Sequence, residues 1–125
     1  MAQHNELGKI GEQKAAEYLK KKGYKILERN YKYKNLEIDI IAQRKTDLVF
    51  VEVKTRSDNT LFEPEDAVNY QKQRNITIAA SYYYQHTDGS LYPRFDVVAV
   101  LLTDGEYHIN HIENAFPARS AKRWH

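Results

Sequence analysis

Two neighbouring apolar runs of the sequence carry charged residues where a hydrophobic core is expected. Asp39 lies among the isoleucines of LEIDIIAQR, and Glu52 and Lys54 alternate with the valines and threonine of LVFVEVKTR. Both runs have the composition of β-strands, and a short polar turn around Lys45 and Thr46 joins them. Side chains alternate along a strand, so Glu52 and Lys54 project from one face. The pattern is D-x12-E-x-K on a predicted hairpin.

The two carboxylates of this pattern are predicted to lie close together. A symmetric turn between the runs places Asp39 directly opposite Glu52. It also places Glu37 opposite Lys54. Directly opposite residues have Cβ atoms roughly 4.5–5.5 Å apart on one face. Two carboxylates at that separation repel, and burial strengthens the repulsion. A divalent cation between them is the simplest compensation, because Mg²⁺ takes one or two carboxylates and keeps several waters. We therefore predict a Mg²⁺ or Mn²⁺ site here.

Polar residues also interrupt the apolar stripes of two predicted helices. Glu12 lies near Gly8, Gly11 and Ala15 in the first helix. Two glycines inside a helix cost about 1 kcal/mol each relative to alanine. Tight approach of this helix to the sheet or to a ligand would justify that cost, and Glu12 would then reach the same cation. Lys72 interrupts the stripe of the second helix and is predicted to face the same end of the sheet.

These residue types have a coherent chemistry, which is phosphodiester hydrolysis. A cation held by the carboxylates polarises a phosphoryl oxygen and lowers the pKa of a bound water. Lys54 would position or activate that water and stabilise charge developing on phosphorus. Residues 1–35 carry nine Lys or Arg against four Glu, a net charge of +5, which suits a polyanion or a solvated helix face equally well. Four other basic residues are candidate phosphate contacts: Arg44, Lys45, Arg56 and Arg74.

The rest of the sequence predicts the elements that position these side chains. One helix is predicted over residues 5–22, capped by Asn5 and ended by Gly23, and a second over 65–85, with Pro64 at its start. The alternation of apolar residues predicts five strands, over residues 24–33, 36–43, 48–55, 94–102 and 106–112. We expect one domain over residues 1–125, with a core over about 5–112 and a loosely held tail over 113–125.

The order of these elements predicts an α/β fold with a central mixed sheet flanked by helices. A helical crossover predicts parallel pairing of the 48–55 strand with the 94–102 strand. Val49, Val51 and Val53 point to one face of their strand, and Leu48 and Phe50 point to the other. A strand that is apolar on both faces lies inside a sheet that is covered on both sides.

Composition excludes several classes of protein. The 125 residues contain no cysteine, which excludes disulfides, thiolate zinc sites and a cysteine nucleophile. No apolar run reaches the roughly 20 residues that cross a bilayer, and the first residues lack the apolar stretch of a signal peptide. We expect a soluble, cytoplasmic protein with no membrane partner.

Together these motifs resemble the PD-(D/E)xK nuclease superfamily, which carries D-x(n)-E-x-K on a strand hairpin within an αβββαβ core. The chain is more closely similar to the bacterial YraN-like family, which is similar in turn to archaeal Holliday junction resolvases. The resemblance covers about residues 8–102. It rests on these segments: GKIGEQKAAEYLKKKGYKILERNY, EIDIIA, LVFVEVKTR, PEDAV with QKQR, and RFDVVAV.

The resemblance implies a restriction-endonuclease-like core and a Mg²⁺-dependent endodeoxyribonuclease that cuts structured or damaged DNA. It implies a nuclease constellation of Glu12, Asp39, Glu52 and Lys54. It also matches Lys72 to the basic position of the second helix, with Gln71 as a DNA contact beside it. Cutting two strands would favour a homodimer.

The chain departs from the family pattern at two positions. Leu36 stands where the family usually has glycine before EIDII, which alters how closely the backbone approaches nucleic acid. Phe62-Glu63 stands where Phe-Gly is usual. Neither departure removes a predicted ligand.

Two other functions stay open from the sequence. One is a nucleic-acid-binding module that keeps the fold and does not cut. The other is a protein-interaction domain in which the charges form a structural ion-pair network. Asp96 in RFDVVAV is expected to cap or to pair with Arg94 or Lys54 rather than to bind metal.

Overall fold

The computed structural model describes residues 2–57 and 68–119, with side chains from residue 6 onward. The elements follow in the order α1 (Ala2–Lys21), β1 (Lys25–Tyr33), β2 (Leu36–Arg44), β3 (Asp47–Arg56), α2 (Tyr70–Gln85), β4 (Tyr92–Thr103) and β5 (Glu106–Ile112). The strands form one sheet in sequence order. Strands β3 and β4 are parallel and the other neighbours are antiparallel. The predicted α/β fold and the predicted parallel pairing are confirmed.

Strand β3 divides the hydrophobic core into two layers. Val49, Val51 and Val53 pack with residues of α1 on one face of the sheet. Leu48 and Phe50 pack with residues of α2 on the other face. The alternation in the sequence predicted both faces correctly, because each face of this interior strand meets a helix.

The register of the β2–β3 hairpin is the symmetric one that the sequence predicts. It runs from Arg44 opposite Asp47 to Ile40 opposite Val51, where the ladder ends. Beyond this rung the alternation of β2 breaks, since Ile38 packs on the α2 side rather than on the α1 side with Ile40. Strands β2 and β3 therefore diverge at Asp39.

This divergence corrects both predicted cross-strand pairs of the hairpin. Asp39 and Glu52 are neighbours but not a ladder pair, because the last rung is that of Ile40 and Val51. Glu37 and Lys54 are not a cross-strand pair, because the β2–β3 ladder has already ended. Glu37 instead accepts a hydrogen bond from Asn30 of β1.

The two glycines of α1 differ in their surroundings. A Cβ at Gly11 would overlap the Thr55 hydroxyl and lie 2.8 Å from the Thr55 Cβ, so this glycine allows the helix to pack closely on β3. A Cβ at Gly8 would meet no atom of the described residues within 4 Å. One expectation for α1 was wrong: the helix begins at Ala2, so Asn5 lies within it rather than capping it.

Helix α2 begins later than the sequence predicts. Its first residue is Tyr70, and Asn69 is the N-cap, with its side chain accepting from the Lys72 backbone N–H at 2.8 Å. The prediction missed this boundary because it placed the start at Pro64 and gave Asn69 no capping role. Pro64 and Phe62-Glu63 lie outside the described residues.

The segment after β5 is packed rather than loosely held, which corrects the predicted tail as far as residue 119. The Ala115 N–H donates to the Phe95 carbonyl at 2.7 Å. Phe116 is 5% exposed and stacks on Phe95. Arg119 reaches α2, where its backbone N–H donates to Thr77 and its side chain donates to Gln73. Neither helix in the described ranges is long and apolar enough to span a bilayer.

Candidate active site

Asp39 and Glu52 meet where β2 and β3 diverge. Asp39 Oδ2 accepts from the Val53 backbone N–H at 2.8 Å, so the carboxylate takes the place of the ladder that has ended. Glu52 is 5% exposed on β3, beside Val97 of β4. Backbone pairing with β4 fixes Glu52, while a side-chain contact links Asp39 to β3.

The pKa values of both carboxyl groups are raised above the ordinary range. Burial, followed by the neighbouring Glu52 and then by Glu12, raises the pKa of Asp39 to about 8. Burial also raises the pKa of Glu52, against the opposing charges of Lys72 and Lys54. Two carboxylates that share a dry site cannot both ionise cheaply. Without an added positive charge, the pair therefore retains a proton near neutral pH.

Lys72 is the counter-ion that the structure places nearest to Glu52. Its Nζ lies 3.5 Å from Glu52 Oε2, and its side chain is 46% exposed. A cation in the first turn of a helix opposes the helix dipole. The pairing with Glu52 accounts for a lysine at this unfavourable position, and the cap by Asn69 fixes the turn that carries it.

One oxygen of the pair has no hydrogen-bond partner among the described residues. Glu52 Oε1 is buried and accepts no hydrogen bond from any of the described residues. An unsatisfied buried oxygen of this kind costs about 1–3 kcal/mol, and more when it is charged. Carboxylate oxygens are the ligands that Mg²⁺ and similar hard cations prefer. The donor set of Asp39 and Glu52 therefore fits a divalent cation.

Glu12 lies near this pair, but the three carboxylates do not form a compact set of metal ligands. It acts on the pKa of Asp39 through its charge. Its Oε1 accepts from Asn30 Nδ2 at 3.0 Å, and the same amide donates to Glu37. Within residues 2–57 and 68–119, no three His, Cys, Asp or Glu side chains are grouped to hold a metal ion.

A pocket of about 190 Å³ opens between the start of α1 and the end of β3. Asp39 and Glu52 do not line it, but Val53, whose N–H donates to Asp39, does. Glu12 and Lys54 line it, so it adjoins the predicted site on the α1 side of the sheet. The remaining lining residues are Leu7, Gly8, Thr55 and Arg56.

The other predicted nucleic-acid contacts lie at different distances from the pair. Arg56 lines the pocket. Gln71 is exposed in the first turn of α2 and donates to Asn75, and Arg74 is exposed one turn further on. Arg44 and Lys45 lie at the β2–β3 turn, which is roughly 15–20 Å along the strands from Glu52 at about 3.3 Å per residue. The structure does not bring these two residues to the site.

Asn30 is a site residue that the sequence analysis missed. It has a positive φ of 53° and lies between the β1–β2 rungs of Arg29 and Tyr31. Asparagine tolerates this left-handed conformation better than most residues. This tolerance is the only sequence signal that could have indicated Asn30, and it does not reveal that the amide holds Glu12.

Asp96 shows what a satisfied buried carboxylate looks like in the same molecule. It is fully buried and accepts from Arg94 at 3.0 and 2.8 Å, from His111 at 2.7 Å and from the Asn114 backbone N–H at 3.0 Å. Burial acts to raise its pKa, but the hydrogen bonds from His111 and Arg94 hold it below the usual range. The predicted pairing with Arg94 is confirmed, whereas the part played by His111 was missed.

Comparison with known proteins identifies relatives along nearly the whole chain. The profile described as uncharacterised protein family UPF0102 matches residues 11–100. The chain is 47% identical over 116 residues to a UPF0102 protein of Flavobacterium psychrophilum, covering 93% of this chain and 98% of that protein. It is 43% identical over 118 residues to one of Parabacteroides distasonis, covering 94% and 98%. It is 47% identical over 115 residues to one of Syntrophomonas wolfei, covering 90% and 99%. The chain belongs to the UPF0102 family, the YraN-like group that its motifs resemble.

Proposed function

We propose that the chain is a metal-dependent endonuclease that hydrolyses phosphodiester bonds in structured or damaged DNA. The observation that carries the proposal is the buried pair of Asp39 and Glu52, which combines raised pKa values with an unpartnered Glu52 Oε1. Carboxyl groups whose pKa is strongly perturbed by burial and by a neighbouring charge are typical of functional sites. The hydrogen-bonded Asp96 supports this interpretation by contrast, because its burial is fully compensated.

The residues of the site divide into acidic side chains that would bind the metal ion and basic side chains that carry positive charge. Asp39 and Glu52 would hold Mg²⁺ or Mn²⁺, with Glu12 at the edge of the site. The bound cation would supply positive charge at a phosphoryl oxygen and lower the pKa of water. Lys54, whose charge acts on Glu52, would stabilise charge developing on phosphorus. Lys72 keeps the Glu52 carboxylate partly neutralised at the solvent-facing side.

DNA is proposed as the substrate from the family resemblance and the surrounding charge. The predicted contacts Arg56, Gln71 and Arg74 lie near the site, at the pocket and in the first turns of α2. Neutralisation of phosphates by such side chains makes binding salt-dependent.

The test is a cleavage assay with matched variants. Labelled branched, single-stranded and duplex DNA are incubated with Mg²⁺ or Mn²⁺ and with wild type, Asp39→Asn, Glu52→Gln or Lys54→Met. We expect cleavage by wild type and a loss of about a hundredfold or more in each of these variants, the size typical of groups that stabilise charge in the transition state. Asp88→Asn and Glu106→Gln are controls, because both side chains are exposed and lie outside the site.

The alternative function, binding without cutting, predicts a different result. Wild type would bind DNA in a salt-dependent manner, Asp39→Asn would bind equally well, and no divalent cation would promote cleavage. Identical behaviour of wild type and Asp39→Asn on every substrate would remove the basis of the nuclease proposal.

A further inference from the structure

The pocket between α1 and β3 exists because α1 extends past the region where it packs on β3. At Gly11 the helix is so close to the sheet that a Cβ would overlap Thr55. Gly8 lies three residues earlier on the same stripe of the helix, and it lines the pocket instead of touching β3. The helix and the strand therefore separate between these two glycines, and the space between them is about 190 Å³.

The described residues give Gly8 no packing reason to be glycine. A Cβ there would meet none of their atoms within 4 Å, and the backbone at this position has no positive φ. Glycine still weakens the helix relative to alanine. A weakened helix position that faces an open pocket is explained if something outside the chain must approach the helix backbone closely.

The pocket walls indicate what that approaching group is. Lys54 and Arg56 offer positive charge, Glu12 offers a hydrogen-bond acceptor, and Leu7 and Val53 offer apolar surface. This mixture matches a sugar–phosphate unit, which combines an anion, hydrogen-bonding oxygens and an apolar ring. The volume is below the roughly 300–1,000 Å³ of typical small-molecule sites, so it suits one unit of a polymer.

We propose that this pocket binds the sugar–phosphate of one unpaired nucleotide next to the bond that is cut, with its backbone against Gly8. The inference rests on the proposed function and narrows it, because a nucleotide that is not held in a duplex can turn its sugar–phosphate into a recess of this size more easily than a paired nucleotide can. The preferred substrate is therefore DNA with unpaired nucleotides, such as a single-stranded end, a loop or the arm of a fork, rather than continuous duplex.

The test is a binding measurement in EDTA, where cleavage cannot occur. Fluorescence anisotropy follows a short labelled single strand and the duplex of the same sequence. Gly8→Leu fills the pocket and is expected to weaken single-strand binding by about tenfold or more, with little effect on duplex binding. Gly8→Ala is expected to have a smaller effect in the same direction. Gln13→Leu, on the exposed side of α1, is the matched control and should bind like wild type.

Thermal unfolding separates this result from misfolding. Both Gly8 variants should unfold at a higher temperature than wild type, because alanine and leucine favour helix more than glycine does. Unchanged single-strand binding by Gly8→Leu would overturn the inference, and so would an equal loss for single strand and duplex. Neither outcome depends on cleavage, which tests the proposed function separately through Asp39→Asn.

Discussion

Burial with too few compensating donors distinguishes Asp39 and Glu52 from Asp96, whose carboxylate accepts four hydrogen bonds. Burial raises the pKa of Asp39 from 3.8 in the unfolded chain to about 8. The folded chain therefore binds this proton more tightly than the unfolded chain. The associated stability is complete below about pH 4 and is lost as pH rises toward 8. At alkaline pH, repulsion between the ionised Asp39 and the neighbouring carboxylates therefore destabilises the folded chain.

Asp39→Asn should relieve that repulsion. The amide keeps an oxygen to accept from Val53 N–H but cannot ionise. In EDTA at about pH 8.5, we expect the variant to be more stable than wild type by on the order of a few kcal/mol, because each unit of a raised pKa corresponds to about 1.4 kcal/mol. The difference should shrink at about pH 5.5, where Asp39 of the folded wild type keeps its proton. Urea unfolding at both pH values measures it.

The same unfolding measurement is repeated with a divalent cation and with a control variant. Mn²⁺ should stabilise wild type at the higher pH and leave Asp39→Asn unaffected, because the cation binds only the folded, ionised pair. Asp88→Asn should retain the wild-type pH dependence, since Asp88 is exposed. An unchanged pH dependence in Asp39→Asn would contradict the assigned origin of the shift.

At the residue scale, the sequence was enough to predict that Asp39 and Glu52 lie near each other. It was not enough to predict the side chains and hydrogen bonds around them. Residue type and the symmetric turn predicted that Asp39 and Glu52 are neighbours, and their charges do interact. They are not the direct cross-strand pair that regular alternation predicted, because the β2–β3 ladder ends at Ile40 and Val51. The unpartnered Glu52 Oε1 depends on where every nearby donor points, and the position of Glu12 depends on the left-handed backbone at Asn30. Neither property can be derived from residue types alone.

At the scale of the elements, a helix or strand was predicted correctly where one sequence feature determines it, and less well where two features compete. The parallel pairing of β3 and β4 follows from one crossover connection, and the structure confirms it. The start of α2 depended on choosing between Pro64 and Asn69, both of which are residues that begin helices. The cap at Asn69 decides the choice only once its bond to Lys72 is seen.

Gly11→Ala tests how α1 is positioned. The added methyl would overlap Thr55, so we expect a loss of about 1–3 kcal/mol from overpacking, despite the better helix propensity of alanine. Thermal or urea unfolding measures the loss. Thr55→Ala in the same chain should recover part of it by removing the overlapped hydroxyl and methyl. Equal stability of Gly11→Ala and wild type would show that α1 does not need this close approach.

On the scale of the whole molecule, the C-terminal segment closes the α2 side of the core. Phe116 stacks on Phe95, which itself stacks on Phe50 of the central strand. Arg119 then contacts α2. The sequence could not predict this, because the segment has no helical or strand periodicity and its partners lie far away along the chain.

Phe116→Ala should therefore destabilise the whole domain. Removing a buried aromatic ring costs about 3–5 kcal/mol, whereas a loosely held segment would show almost no change. Phe116→Leu keeps most of the apolar volume and should lose much less. Urea unfolding of the three proteins distinguishes a packed segment from a loose one.

The end of the β2–β3 ladder also has a consequence for cation choice. At this level β3 is paired with β4, and β2 is paired with β1. The ladder between β2 and β3 has ended, and Asp39 reaches β3 through its bond to the Val53 N–H. The two carboxylates therefore lie on strands that are no longer paired with each other. We expect the distance between the Asp39 and Glu52 carboxylates to adjust to ions of different radius. Mn²⁺ and Mg²⁺ could then both bind without a rearrangement of the sheet.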